Sequence, residues 1–333
     1  AYLQYTSGTT RALPAPVAHS HRTVVTLMVA ALYGLGLRRG DRYFCPSSPA
    51  WGHGLAHGTL SPLTLGVTMG AYSGKFDAQR IFEALEEFQI NNMAAAPTVF
   101  RMMRNSGLRD RYKIDLRKIS FAGEPLDNET AKWIEQSLGT PAASMYGSTE
   151  VGVVIANFPG MKDFHIKTGA LGKAVPGATV AILGPDGAAL GPRQSGEIAV
   201  KRKDGWFHIK DRGYLDEEGY FVIEGRSDDV IISAGWTMSA VEIENSLLKH
   251  PSVLEAAVVG APDAVRGLVA KAYIVARDTS EKTSNEIKSF MKETLSKHEY
   301  PRLIEFVDEL PKTPAGKINR KVLRDRAQAP AAQ

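Results

Sequence analysis

The chain has 333 residues, 44% hydrophobic and 23% charged, which supplies enough apolar surface for a folded core and excludes disorder as its main state. Its 40 Lys and Arg against 36 Asp and Glu leave a net charge of +4 that is spread along the chain, so nucleic acid is not the expected partner, and phosphate-bearing small molecules suit the mild excess. A single cysteine, Cys45, excludes an intrachain disulfide and suits a cytoplasmic location, and the sequence contains no apolar run of about 18 residues that would predict a membrane span.

The opening Tyr5-Thr6-Ser7-Gly8-Thr9-Thr10 gathers hydroxyl donors around a glycine, a composition that can wrap phosphates or form an ordinary Ser/Thr-rich turn. It is not the G-x-x-x-x-G-K-[ST] phosphate loop, and it does not read as a signal peptide. Trp51 and Gly52 follow, Trp51 reading as a core tryptophan or as the wall of a pocket. His53 and His57 stand at metal-ligand spacing, but glycines at 52, 54 and 58 predict a poor helix there and argue against zinc.

Residues 77–88 then predict an amphipathic helix, 90–96 a buried strand and Pro97 the first turn of another helix. Residues 119–122 and 143–146 predict short strands that end in polar, Gly-containing loops, the place where α/β sheets bind ligands. From Gly172 the text changes to hairpins, with strands at 179–183, 197–202 and 220–224. A compact α+β pattern follows, with Ser239-x-x-Glu242 and Thr283-x-x-Glu286 read as capping boxes and an apolar strand at 304–310. The fold expected is a layered α/β domain with a β-rich subdomain, followed by a small α+β domain. Its boundaries are placed at 1–226 and 227–333, with a disordered tail from Ala327.

Five segments occur in a fixed order: the opening, Phe121-Ala122-Gly123-Glu124-Pro125-Leu126, Tyr146-Gly147-Ser148-Thr149-Glu150, Gly225-Arg226-Ser227-Asp228-Asp229 and Pro311-Lys312-Thr313-Pro314-Ala315-Gly316-Lys317. Together they resemble the adenylate-forming superfamily of acyl-CoA synthetases, luciferases and peptide-synthetase adenylation domains. The run from Asn157 to Lys162, the Gly169-Ala170-Leu171-Gly172 segment and Tyr300-Pro301-Arg302 are similar to the medium-chain acyl-CoA and aryl-CoA ligases.

That resemblance implies a reaction in which a carboxylate attacks the α-phosphorus of ATP and the acyl-adenylate passes to coenzyme A. Bringing two anions to about 4 Å costs on the order of 4 kcal/mol at an effective dielectric near 20, so cations must offset it. By the same resemblance Lys317 is the mobile adenylation lysine and Glu150 the Mg²⁺ ligand. Thr6, Ser7, Gly8, Thr9, Thr10 and Thr149 meet phosphates. Gly123, Glu124 and Pro125 face the adenine, opposite Tyr146 and beside Gly147. Asp211 and Arg226 meet the ribose, Asp228 is the hinge, and Ser233, Ala234, Gly235 and Trp236 line the CoA channel. Trp51 and Gly52 shape the acyl pocket.

Three departures from the family pattern stand out. Lys210 replaces the glycine expected before Asp211, and Ala15 replaces a phosphate-contacting lysine, with Arg11 as a possible substitute cation. Family members also carry a long region ahead of the Tyr-Thr-Ser-Gly motif, so the large domain is expected to lack its N-terminal part. The alternative reading is therefore a truncated nucleotide-binding fragment without catalytic activity. A third is adenylation for a carrier protein. Which carboxylic acid is activated, and the oligomeric state, are open from sequence.

Overall fold

The computed structural model describes residues 2–5, 16–226, 231–233, 236–263, 265–295, 300–313 and 318–328. They divide into two compact units, residues 1–209 with 213–223 and residues 210–212 with 224–333.

The first unit opens on β1 (Tyr2–Tyr5) and β2 (Pro16–His19), an antiparallel pair in which Tyr5 faces Pro16. Next come α1 (His21–Tyr33), β3 (Arg42–Phe44), a π-helical segment (His53–Leu60) running into α2 (Ser61–Thr64), and β4 (Thr68–Gly70). Then α3 (Ala78–Glu87), β5 (Asn92–Ala95), α4 (Pro97–Ser106), β6 (Lys118–Ala122), α5 (Asn128–Leu138), β7 (Ala142–Ser148), β8 (Gly152–Ala156) and β9 (Lys173–Ala174) alternate helix with strand. These strands form one sheet in the order β4-β3-β5-β6-β7-β8-β9. From β4 to β7 the pairs are parallel, and β8 and β9 are added antiparallel.

The helices form where the sequence supplies both a cap and an apolar stripe. Asp77 accepts a hydrogen bond from the Arg80 amide at the start of α3, and Ile81, Phe82 and Leu85 line its buried face. Asp127 does the same for α5 through the Thr130 amide at 2.8 Å, and Gly139, at φ +82°, closes it in the left-handed conformation. Because successive strand residues point to opposite faces, Met93 joins Phe82, Phe100, Ile119 and Ile134 on one side of the sheet while Ala94 joins Leu35, Tyr43 and Met145 on the other. Both faces are covered, which explains why β5 is buried along its whole length.

β10 (Val180–Leu183), β11 (Gly196–Arg202), β12 (Gly205–Leu215) and β13 (Phe221–Arg226) make a four-stranded sheet in sequence order, the hairpin region expected from Gly172 onward. The second unit contains β14 (Ile231–Ser233), β15 (Trp236–Met238), α6 (Ala240–Leu247), β16 (Val253–Asp263), β17 (Gly267–Ala276), α7 (Glu281–Thr294), β18 (Leu303–Phe306) and α8 (Arg320–Gln328). Its sheet runs β15-β14-β17-β16, with β18 parallel to β17. Ile243, Leu247, Ile287 and Met291 cover one face, and Leu323 of α8 packs with Tyr273 and Val259 on the other.

Four local expectations are corrected. The 53–60 segment is helical despite its glycines, because the π-helical winding lets Gly54 come close to Ser48, where a Cβ would stand 2.1 Å from the carbonyl oxygen. Thr283 is not a cap: Ser280 caps α7, and Thr283 lies inside the first turn with its hydroxyl on Asp278. The strand expected at 304–310 covers only Leu303–Phe306, and Ala327 belongs to α8. Ser239 does cap α6, accepting from the Glu242 amide at 3.3 Å.

Candidate active site

In a parallel sheet the carboxyl ends of neighbouring strands lie side by side, and here the β6–β7 ladder ends with Ala122 paired to Met145. The segments that leave these two ends are Gly123-Glu124-Pro125 and Tyr146-Gly147-Ser148-Thr149-Glu150. The fold therefore brings two of the five ordered segments to one edge of one sheet.

The first loop is held from below. Gly123 turns at φ +102°, a conformation that favours glycine, and Glu124 folds back onto the start of α4. Its Oε1 accepts from the Thr98 amide at 3.1 Å, the Thr98 hydroxyl at 2.7 Å and Arg101 Nη2 at 2.9 Å. Arg101 Nε also donates to Asp127 at 3.1 Å, so one guanidinium ties this loop to the cap of α5. The Glu124 and Arg101 side chains are only 8% and 10% exposed, and a buried pair of this kind is worth keeping only because every partner is bonded. With Glu124 Oε1 so committed, the loop presents the Gly123 backbone and the Pro125 ring to a ligand. Thr98 and Arg101 were not singled out by sequence. Their signal is an acceptor-poor first turn, Pro97-Thr98, that needs a carboxylate from elsewhere.

The second loop is a hairpin. Ser148 pairs with Gly152, leaving Thr149, Glu150 and Val151 as a three-residue connection, and Gly152 takes φ +72° as such connections demand. Gly147 is required by contact as well: a Cβ there would stand 1.8 Å from the Gly152 carbonyl oxygen. Tyr146 is largely buried, packed with Val154, Ile155 and Leu171, so its ring is anchored in the core rather than standing free. Glu150 is exposed at the tip, and Arg202 donates from Nη2 to its carbonyl oxygen at 2.6 Å. His19, at the end of β2, lies within its field: burial lowers the imidazole pKa and the Glu150 charge offsets part of that fall.

Thr6, Ser7, Gly8, Thr9 and Thr10, with Arg11 and Ala15, lie outside the described residues, and the strands that flank them are β1 and β2. Trp51 leads into the π-helical segment, its amide donating to the Ser48 carbonyl at 3.0 Å, and Gly52 abuts the buried Gln4 side chain. His53 Nδ1 lies 3.0 Å from Ser47 Oγ. His57 is buried, and burial lowers its pKa to about 4, which keeps it neutral. Among the described residues no group of three or more His, Cys, Asp or Glu can hold a metal ion.

In the second unit Asp211 is 8% exposed within β12, and Lys210 before it sits at φ +69°, so the backbone keeps the conformation that a glycine would favour. Arg226 ends β13 and Trp236 begins β15, but their side chains lie outside the described part. Ser233 is buried and pairs with Trp236 and Gly267. Ala234, Gly235, Asp228 and Lys317 lie outside the described residues. Lys317 is flanked by an antiparallel bridge between Lys312 and Ile318. No helix of the described residues is long and apolar enough to cross a membrane.

A single carboxylate on an exposed hairpin tip, next to a threonine hydroxyl, matches the donor set Mg²⁺ takes when substrate phosphates complete its shell. Glu150 makes no side-chain hydrogen bond or ion pair to another described residue that would compete for it.

Comparison with known proteins gives the following. Residues 1–207 match the sequence profile of the AMP-binding enzymes, and residues 242–317 that of the AMP-binding enzyme C-terminal domain. The chain is 35% identical over 350 residues to the acetyl-coenzyme A synthetase of Bacillus subtilis, covering 97% of this chain and 60% of that protein. It is 35% identical over 352 residues to 4-hydroxybutyrate–CoA ligase 1 of Metallosphaera sedula, covering 97% of this chain and 62% of that protein. Among solved structures it superposes on an anthranilate CoA ligase in complex with anthranoyl-AMP with a TM-score of 0.89 at 27% identity, covering 98% of this chain and 67% of that one. The chain thus spans about 60% of the length of the curated relatives it matches.

Proposed function

This chain belongs to the AMP-binding enzyme family, whose members it resembles are acyl- and aryl-CoA ligases, and on that premise we propose that it acts in an ATP-dependent carboxylic acid–CoA ligase. The reaction proceeds in two steps: carboxylate plus ATP gives acyl-AMP and pyrophosphate, and acyl-AMP plus CoA gives acyl-CoA and AMP. The observation that supports this reading is the pairing of β6 with β7, Ala122 opposite Met145, after which one strand continues into Gly123-Glu124-Pro125 and the other into the hairpin that carries Thr149 and Glu150.

In this proposal the Gly123 backbone and Pro125 receive the adenine, Thr149 meets phosphate oxygens, and Asp211 and Arg226 hold the ribose. The Glu150 carboxylate would hold Mg²⁺, which would supply positive charge to offset that of the phosphates. Lys317 brings an ammonium group to the reacting phosphorus in the first step. Asp228 is the hinge for its exchange with Ser233, Ala234, Gly235 and Trp236, which admit CoA. Trp51 and Gly52 belong to the acyl site, which takes a small, medium-chain or aryl acid. A cytoplasmic location accompanies this reading.

The test is AMP release from ATP in the presence of CoA and a panel of acids from acetate through octanoate to benzoate. Release that depends on both the acid and CoA supports the ligase. A second reading, a nucleotide-binding chain without turnover, is favoured by Ala15 in place of the phosphate-contacting lysine. It predicts ATP binding with no AMP released for any acid.

A further inference from the structure

The Thr149–Glu150 tip carries the metal and phosphate ligands of the proposed site, yet little inside the hairpin holds it. The contact within the connection is the Val151 amide on the Ser148 carbonyl, stretched to 3.3 Å. Glu150 is exposed, and a carbonyl at such a tip ordinarily turns to water. Here it is taken instead by a charged donor from another strand: Arg202, the last residue of β11, places Nη2 2.6 Å from it. The guanidinium is itself fixed, because its central carbon lies 4.1 Å from the centre of the Phe207 ring on β12. Tip, guanidinium and aromatic ring form one stack spanning two sheets of the first unit.

We infer that Arg202 is a positioning residue for the nucleotide site: clamped on Phe207, it fixes the Glu150 peptide and thereby the direction in which the Thr149 hydroxyl and the Glu150 carboxylate face a metal–triphosphate. It also sets a permanent positive charge one peptide away from that carboxylate. This role needs the planar donor. A lysine has one ammonium point and cannot both stack on Phe207 and reach the carbonyl in a fixed direction, so Arg202→Lys recovers only part of the function. The inference rests on the proposed function for its ligand, but the structural half stands independently of it.

Both halves are measured on the whole chain. Amide hydrogen exchange across residues 149–152 is compared in wild type, Arg202→Met, Arg202→Lys and Lys203→Met, the last removing an exposed charge from the tip of the β11–β12 hairpin. ATP affinity is measured in the same proteins with and without Mg²⁺. Arg202→Met is expected to speed exchange at the tip about tenfold, the value of one hydrogen bond to a charged donor, and to lower the Mg²⁺-dependent gain in ATP affinity by a similar factor. Lys203→Met should change neither, and Arg202→Lys should fall between. Unchanged tip exchange in Arg202→Met overturns the inference, and so does an equal loss in Lys203→Met, which would make the effect one of net charge. If wild type binds no ATP, the functional reading fails, and the exchange comparison still decides whether Arg202 holds the tip.

Discussion

Lys210 shows how one residue can depart from a pattern while its backbone does not. It stands where the resemblance calls for glycine, and it keeps φ at +69°, so its Cβ carries the steric penalty of the left-handed region. Lys210→Gly is therefore expected to stabilise the chain by about 1 kcal/mol in urea denaturation, whereas Lys210→Val should lose stability. The substitution was legible in the sequence, but the retained turn was not, since φ is set by the neighbours of β12. Glu124 teaches the converse. Sequence marks it as part of an adenine loop, but what its side chain touches is decided by Thr98 and Arg101, more than 20 residues upstream. Glu124→Ala leaves a buried guanidinium with one of its two carboxylates and should lower stability by roughly 3 kcal/mol, read from the same denaturation curves. His57 gives a pH-dependent case. Its folded pKa of about 4 lies below the usual 6.5, so the unfolded chain binds the extra proton and stability is lost as pH falls from 6.5 towards 4. The full loss is on the order of 3 kcal/mol, and His57→Phe should remove that part of the pH dependence of unfolding.

At the scale of elements, the β7–β8 hairpin decides whether a site exists at all. A methyl group at Gly147 would collide with the Gly152 carbonyl oxygen at 1.8 Å, backbone against backbone, with no flexible end to give way. Gly147→Ala is expected to cost about 3 kcal/mol or prevent soluble expression. Gly139→Ala, at φ +82° but with nothing within 4 Å of its Cβ, should cost only about 1 kcal/mol in the same assay and serves as the control for strain without collision. Elements with a strong local signal were readable: a helix starts at Asp77, Pro97 opens another, and the apolar runs of β5 and β6 are strands, whereas the Asp127 cap of α5 was not read. Elements decided by distant packing were not. Ser280 and Thr283 both offer a hydroxyl to the start of α7, and the choice of Ser280 follows from Asp278, which bonds both. The π-helical winding at 53–60 depends on Gly54 and Gly58 fitting against Ser48 and Cys45, which no periodicity announces.

For the whole molecule, the alternation of strand and helix in the first unit and the α+β pattern of the second were legible because binary patterning follows the local period. The parallel order of strands was not, since it rests on which apolar faces meet across long connections. The five ordered segments distribute over both units, and the proposed reaction draws a residue from each. In the proposed reaction the ammonium of Lys317 neutralises charge as a carboxylate meets the α-phosphate. Acid-dependent exchange of radiolabelled pyrophosphate into ATP tests it most directly, measured for the chain and for Lys317→Ala beside conversion of supplied acyl-AMP to acyl-CoA. Exchange is expected to fall by about 100-fold or more in Lys317→Ala while the second step continues. Exchange undiminished in that variant would contradict it.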